Sequence, residues 1–271
     1  MIRPLNSLER AFWETDRMVP LNFVLVARVA GPLTLDILRA ALKRQTVRYP
    51  ALNLSIGMDQ SGQVAFVPAA SVPRVDVVTG GGWQGQLSRE LNTPFDCPSE
   101  PVCRLKWVRD QESSHILLTF HHSVVDGRSG LRVLCDLLED ASAYLSGAQL
   151  ARTIESKPLW DGDIQSDARP SQLRYGRGIL RWTQGARALD QRRMGAAPLN
   201  LSAEESYAII HRARLYGVSI TGVFGAAHVL AMSEHFAQAG LISLSLPIDW
   251  RDRMPNMDGD AFGLLFLGKR V

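Results

Sequence analysis

The chain has 271 residues, 46% of them hydrophobic and 21% charged, with a formal net charge of +3. That length can bury a large core and suits one large domain or two lobes. The composition is ordinary for a globular protein, and the charge is too mild to imply a nucleic-acid partner.

No apolar run is long enough for a transmembrane helix, which needs about twenty residues. The N-terminus lacks a basic segment followed by an apolar core, so no secretory signal is expected. Three cysteines, Cys97, Cys103 and Cys135, show no CxxC spacing. They argue for a reducing cytoplasm, and against a zinc site or a disulfide framework.

In chain order, Ser7 is expected to cap a short helix running to Asp16, with Glu9 favourable in its first turn. Asn22 to Val29 reads as a strand ended by Gly31-Pro32. Thr34 caps a helix whose Leu35, Leu38, Ala41 and Leu42 form the apolar face, ending before Pro50. Strands at Leu52 to Met58 and Gln63 to Val67 join through Asp59-Gln60-Ser61-Gly62, a hairpin signal.

Gly80 to Gly85 fits GxGxxG after the apolar Val75 to Val78. A dinucleotide loop needs a βαβ unit around it. None is read here, so the stretch is expected to be a flexible turn into a helix from Trp83 to Asn92. Cys103 to Arg109 and Ser114 to Phe120 read as two adjacent strands. A helix follows from Ser129 to Leu145, with Leu131, Leu134, Cys135 and Leu138 at helical spacing, which makes Cys135 a core residue. Gly127-Arg128-Ser129-Gly130 misses GxSxG by one position, so no hydrolase elbow is supported.

Residues 146–170, broken by Pro158 and Pro170, read as a linker. A basic helix is then predicted, with Arg174, Arg177 and Arg181 on one face. Such a face is either solvated or a landing surface for something anionic: a carrier protein, CoA phosphates or a lipid headgroup layer, the last not otherwise indicated. Ser202-Ala203-Glu204-Glu205 is a capping box opening a helix to about Tyr216, stopped by Gly217. Ser219 to Ala239 reads as a helix rich in Gly and Ala. Leu241 to Leu246 reads as a strand, Pro247 to Gly259 as a loop and Phe262 to Leu267 as a last strand.

The chemistry concentrates in His121-His122-Ser123-Val124-Val125-Asp126-Gly127, between the strand from Ser114 and the helix that follows. Successive strand side chains diverge, so only one histidine faces a given cleft, and one metal ion cannot easily collect both. No metal site is expected. Two packed histidines beside a turn are the plain reading. A neutral imidazole acting as a general base, beside a glycine that lets the backbone come close, is the functional one.

The heptad matches HHxxxDG and resembles the acyltransferase superfamily of chloramphenicol acetyltransferase, peptide-synthetase condensation domains and polyketide-associated alcohol acyltransferases. Further stretches carry the same likeness. They are Arg3 to Arg10, Leu38 to Leu42, Arg48-Tyr49-Pro50-Ala51-Leu52, Pro94-Phe95-Asp96 and Pro247-Ile248-Asp249-Trp250-Arg251. The resemblance implies an α/β, chloramphenicol-acetyltransferase-like fold of two lobes forming a V around an acyl tunnel, the second lobe incomplete at the C-terminus. It divides the chain into a lobe at 1–150 carrying the motif, a linker at 151–172 and a partial lobe at 173–271. It implies that His122 is the base and that His121 supports the loop. It also implies that Asp126, beside Gly127, turns from the histidine to pair with an arginine of the later lobe. Arg251 is the matching candidate and Arg253 the fallback.

The expected function is transfer of an acyl group from a CoA or carrier-protein thioester to a hydroxyl or amine. The donor, acyl-CoA or phosphopantetheine-linked, is a substrate, and no tightly bound cofactor is implied. Partners would be an acyl or peptidyl carrier protein and an alcohol or amine acceptor, in cytoplasmic secondary metabolism. The alternatives are amide-forming condensation and a non-catalytic truncated homologue acting as a binding protein.

Overall fold

A computed structural model describes residues 3–109, 114–151, 153–162, 193–235, 244–253 and 257–270. The chain divides into two compact units. One contains the described residues of Met1–Gln165, Ala188–Ala196 and Asp249–Phe266, and the other those of Ala197–Ile248 and Leu267–Val271.

The first unit opens with strand β1 (Arg3–Pro4) and helix α1 (Ser7–Asp16). The cap of α1 is Asn6, one residue before the expected Ser7. Its side chain accepts the Glu9 amide, and the Glu9 side chain accepts the Asn6 amide in return. Strand β2 (Asn22–Val29) and helix α2 (Leu35–Arg48), capped by Thr34, follow the sequence expectation. Leu38, Ala41 and Leu42 of α2 are buried, each long side chain contributing about 1.5–3 kcal/mol through burial.

Pro50–Asn53 forms a 3-10 turn, so β3 (Leu54–Met58) starts two residues later than expected. It pairs antiparallel with β4 (Val64–Pro68), and β1 closes a sheet of order β1-β4-β3.

The second sheet carries the site. Strand β5 (Val75–Thr79), helix α3 (Gly82–Asn92), β6 (Cys103–Arg109) and β7 (Ser114–His121) join β2 in the order β2-β7-β6-β5. Strand β7 lies between β2 and β6, antiparallel to both, which is why seven of its eight residues are buried. Across the ladder Ile116, Leu118 and Phe120 face Trp107, Leu105 and Cys103. Leu117, Thr119 and His121 alternate onto the opposite face.

β5 and β6 pair in parallel, so β5, α3 and β6 do form a βαβ unit around the glycine turn, contrary to the sequence expectation. Gly80, Gly81 and Gly82 all have positive φ, 76°, 81° and 63°, a run that side-chain-bearing residues rarely adopt. The unit is one crossover at a sheet edge. It lacks the successive parallel strands that create a dinucleotide crevice.

Helix α4 (Gly127–Ser146) begins two residues before the expected start, because Asp126 is its cap. It buries Gly130, Val133, Leu134, Leu137 and Ala141. Cys135 lies off that stripe and is exposed, correcting its expected place in the core. Two polar clusters bind α4 to the α2 segment. Gln45 Nε2 donates to Asp140 Oδ2 at 2.7 Å, and the Tyr49 hydroxyl to Asp136 Oδ2 at 2.6 Å. The described part of the expected linker is held as well. Leu159 bridges Phe262, and the Trp160 carbonyl accepts from Arg3 at 2.9 Å.

The second unit holds α5 (Ala203–Leu215), with its predicted capping box at Ser202 and Glu205, and α6 (Ile220–His235). Strands β8 (Ser245–Asp249) and β9 (Phe266–Arg270), which belong to this unit except for Asp249 and Phe266, pair with each other, both displaced C-terminally from their expected positions. Phe262, Leu264 and Leu265 are buried core residues, not the body of a strand. Among the described residues no single helix is long and apolar enough to cross a membrane.

Candidate active site

His121 is the last residue of β7, and His122 opens the turn that leads to Asp126 and α4. The His122 ring is enclosed by aromatic rings. Centroid distances are 4.8 Å to Phe12, 4.9 Å to Phe23 and 5.9 Å to Phe266. Its Nδ1 lies 3.1 Å from the Val125 carbonyl oxygen, a group that only accepts, so Nδ1 carries the hydrogen and Nε2 keeps a lone pair. Burial pushes the pKa of His122 below the usual histidine value, outweighing the backbone carbonyls and the Asp126 charge that favour the cation. A neutral imidazole with a free Nε2 is a base available at neutral pH.

His121 is 1% exposed. Its Nδ1 accepts the Ser123 amide at 3.2 Å, and its Nε2 lies 3.4 Å from Asp16 Oδ2.

Asp126 is turned away from His122. Arg251 Nη1 donates to Asp126 Oδ2 at 2.8 Å, and Arg251 Nη2 to Oδ1 at 3.2 Å. Oδ1 also accepts the Ser129 amide at 2.8 Å, and Oδ2 the Leu265 amide at 3.0 Å. Arg251 donates further to Ser129 Oγ, the Ala261 carbonyl and Asp249 Oδ1. Asp126 is 5% and Arg251 2% exposed, and this set of bonds answers both buried charges. Both residues lie in the same compact unit, because Asp249–Phe266 packs with the N-terminal segments. Arg253 is exposed.

At Gly127 a Cβ would meet nothing within 4 Å, so no described residue makes the close approach expected there. The close approach occurs at Gly130, where a Cβ would stand 3.0 Å from the Phe23 ring and 3.1 Å from Phe120. A groove of about 510 Å³ lies behind the ion pair, lined among others by Tyr49, Arg132, Cys135, Asp260 and Arg251. Neither motif histidine lines it. Arg174, Arg177 and Arg181 lie outside the described residues.

No family model matches the chain. Chondramide synthase of Chondromyces crocatus is 26% identical over 238 residues, which is 80% of this chain and 6% of the synthase. The chain spans between 1 and 6% of the length of the peptide synthetases it matches. Polyketide synthase associated protein 5 from Mycobacterium tuberculosis superposes with a TM-score of 0.68 at 16% identity, over 99% of this chain and 67% of that one. The first condensation domain of the CDA synthetase superposes with 0.67 at 17% identity, over 100% of this chain and 70% of the domain.

The chain is similar in sequence to nonribosomal peptide synthetases and in fold to condensation domains. Its fold is the two-lobe α/β architecture of condensation domains, of which it spans about two thirds.

Three features of the site lie outside the sequence expectations. Ser129, considered only as a failed nucleophile, is the hub between Arg251 and Gly263, accepting the Gly263 amide at 3.1 Å and donating to its carbonyl at 3.0 Å. Asp126 as a helix cap was legible, since an aspartate directly preceded the helix. The aromatic wall of Phe12, Phe23 and Phe266 comes from three separate segments and left no local signal.

Proposed function

We propose that the chain transfers an acyl or peptidyl group from a thioester to an amine or hydroxyl, with His122 as the general base. The observation that carries this reading is the hydrogen bond between His122 Nδ1 and the Val125 carbonyl, which leaves Nε2 free in a half-buried aromatic pocket. In the reaction, Nε2 removes the proton of the attacking amine or hydroxyl as the new bond to the thioester carbonyl carbon forms. The tetrahedral intermediate then collapses, the carbon–sulfur bond breaks, and the imidazolium returns the proton to the leaving thiolate. No acyl-enzyme is needed, in keeping with a motif turn that offers no paired serine or cysteine nucleophile.

The donor is acyl-CoA or a carrier-bound phosphopantetheine thioester. The resemblance of the HHxxxDG heptad to condensation domains suits amide formation between carrier-bound substrates, and its resemblance to alcohol acyltransferases suits ester formation on a hydroxyl. The deciding experiment offers the purified protein acyl-CoA and acyl-carrier donors with amine and alcohol acceptors, and follows free thiol and product by mass spectrometry. Turnover lost in His122→Ala supports the reading. A folded protein that binds donors without turnover replaces it with a non-catalytic binding role.

A further inference from the structure

Helix α1 touches both histidines of the motif. Phe12 and Asp16 are four positions apart and therefore share one helix face. The Phe12 ring packs on His122 at 4.8 Å, while Asp16 Oδ2 meets His121 Nε2 at 3.4 Å. The Ser123 amide donates to His121 Nδ1 at 3.2 Å, so the ring hydrogen of His121 sits on Nε2 and points at the carboxylate. The other oxygen of Asp16 accepts the Leu21 amide at 2.6 Å, just before β2. The first residue of β2, Asn22, is the ladder partner of His121. One carboxylate thus ties the end of α1, the start of β2 and the end of β7.

Burial raises the Asp16 pKa, but the His121 ring, the Leu21 amide and the Arg104 charge together hold it below the usual carboxylate value, so it stays ionised. The far end of α1 is equally fixed. Glu9 is 1% exposed and both of its oxygens meet Arg3 at 2.7 Å. A helix pinned at both ends is a rigid reference for the turn beside it.

We infer that Asp16 is a positioning residue of the acyl-transfer site: through His121 and the Ser123 amide it sets the turn that presents His122. The inference rests on the reading of His122 as base, but its test does not require turnover. In the full chain labelled with ¹⁵N-histidine, long-range ¹H–¹⁵N spectra report which ring nitrogen of each histidine is protonated. The expected wild-type result is a hydrogen on Nε2 of His121 and on Nδ1 of His122. Asp16→Ala should leave His121 in mixed tautomers and shift the His122 signals. Asp16→Asn, whose single amide oxygen can accept from the His121 Nε2–H or from the Leu21 amide but not from both, should restore the signals only in part.

In the active protein kcat should fall about 10²-fold in Asp16→Ala with KM nearly unchanged, and recover only in part in Asp16→Asn. A wild-type His121 protonated on Nδ1, or a folded Asp16→Ala with unaltered signals from both histidines, overturns the inference. If Asp16→Ala does not fold, Asp16→Asn decides: His122 signals that move together with those of His121 support the link, and His122 signals that stay at their wild-type values while those of His121 change remove it. A wild-type protein with the expected tautomers but no turnover overturns the acyl-transfer reading alone.

Discussion

Gly130 and Phe23 stand so close that a Cβ on Gly130 would lie 3.0 Å from two atoms of the Phe23 ring. The same ring packs on His122 at 4.9 Å, so a helix glycine governs the seat of the base. Gly130→Ala gains about 1 kcal/mol of helix propensity, but forcing a methyl into a filled core costs about 1–3 kcal/mol. The expected outcome is net destabilisation together with reduced turnover, read from the denaturant midpoint and kcat. Gly127→Ala meets open space and should leave the unfolding free energy within about 0.5 kcal/mol of wild type.

The Asp126–Arg251 pair makes a second prediction. Because both groups are buried, removing one strands the other charge, at a cost of about 3–5 kcal/mol. Asp126→Asn and Arg251→Met should each destabilise by several-fold more than an exposed pair's ~0–1 kcal/mol. The double variant should cost clearly less than the sum in urea melts. Additive effects would mean that the pair does not act as a unit.

His122 sets the pH dependence. Its folded pKa is below the ordinary 6.5, so the free base persists through pH 6.5, and the acid limb of kcat/KM is expected below that value. The stability sign follows. The unfolded chain takes up the proton first as pH falls, so stability is full above 6.5 and lost as pH drops toward the folded pKa. Urea midpoints on either side of 6.5 should differ in wild type, and differ less in His122→Gln. His122→Ala should lower kcat by about 10²–10⁴-fold.

Charge reversal at Arg174, Arg177 and Arg181 tests a carrier or CoA landing surface. Binding should weaken most at low salt, since exposed charges are screened over about 10 Å at 0.1 M. Unchanged low-salt binding returns the stretch to a solvated face.

What the sequence revealed divides by range. Helices at Thr34 and Ser202, the strand at Asn22 and the buried run of β7 were legible because caps and periodicity are local. Cys135 was misplaced because Leu131 and Cys135 imitate an apolar stripe, while the buried face turns on Gly130 and Asp140, residues without an apolar signature. The parallel pairing of β5 with β6 was missed because α3 buries only Gln86 and Glu90, both polar, and so hid a crossover helix. Arg251 was found through family likeness. Asp16 had no such pointer, since only the folded chain brings it to His121.

The bond between Arg251 and Asp126 closes a loop across 125 positions. Strands β6 and β7 and helix α4 are built from near neighbours, and such contacts form early, whereas the entropy of closing a long loop delays the rest. The turn that holds the base is therefore expected to mature last. A nascent chain still short of Arg251 would carry the formed hairpin and helix, with a capping carboxylate awaiting its partner. In pulse-labelling hydrogen exchange, the Asp126 and Leu265 amides should gain protection after those of β7, making the assembly of the site a late event in folding.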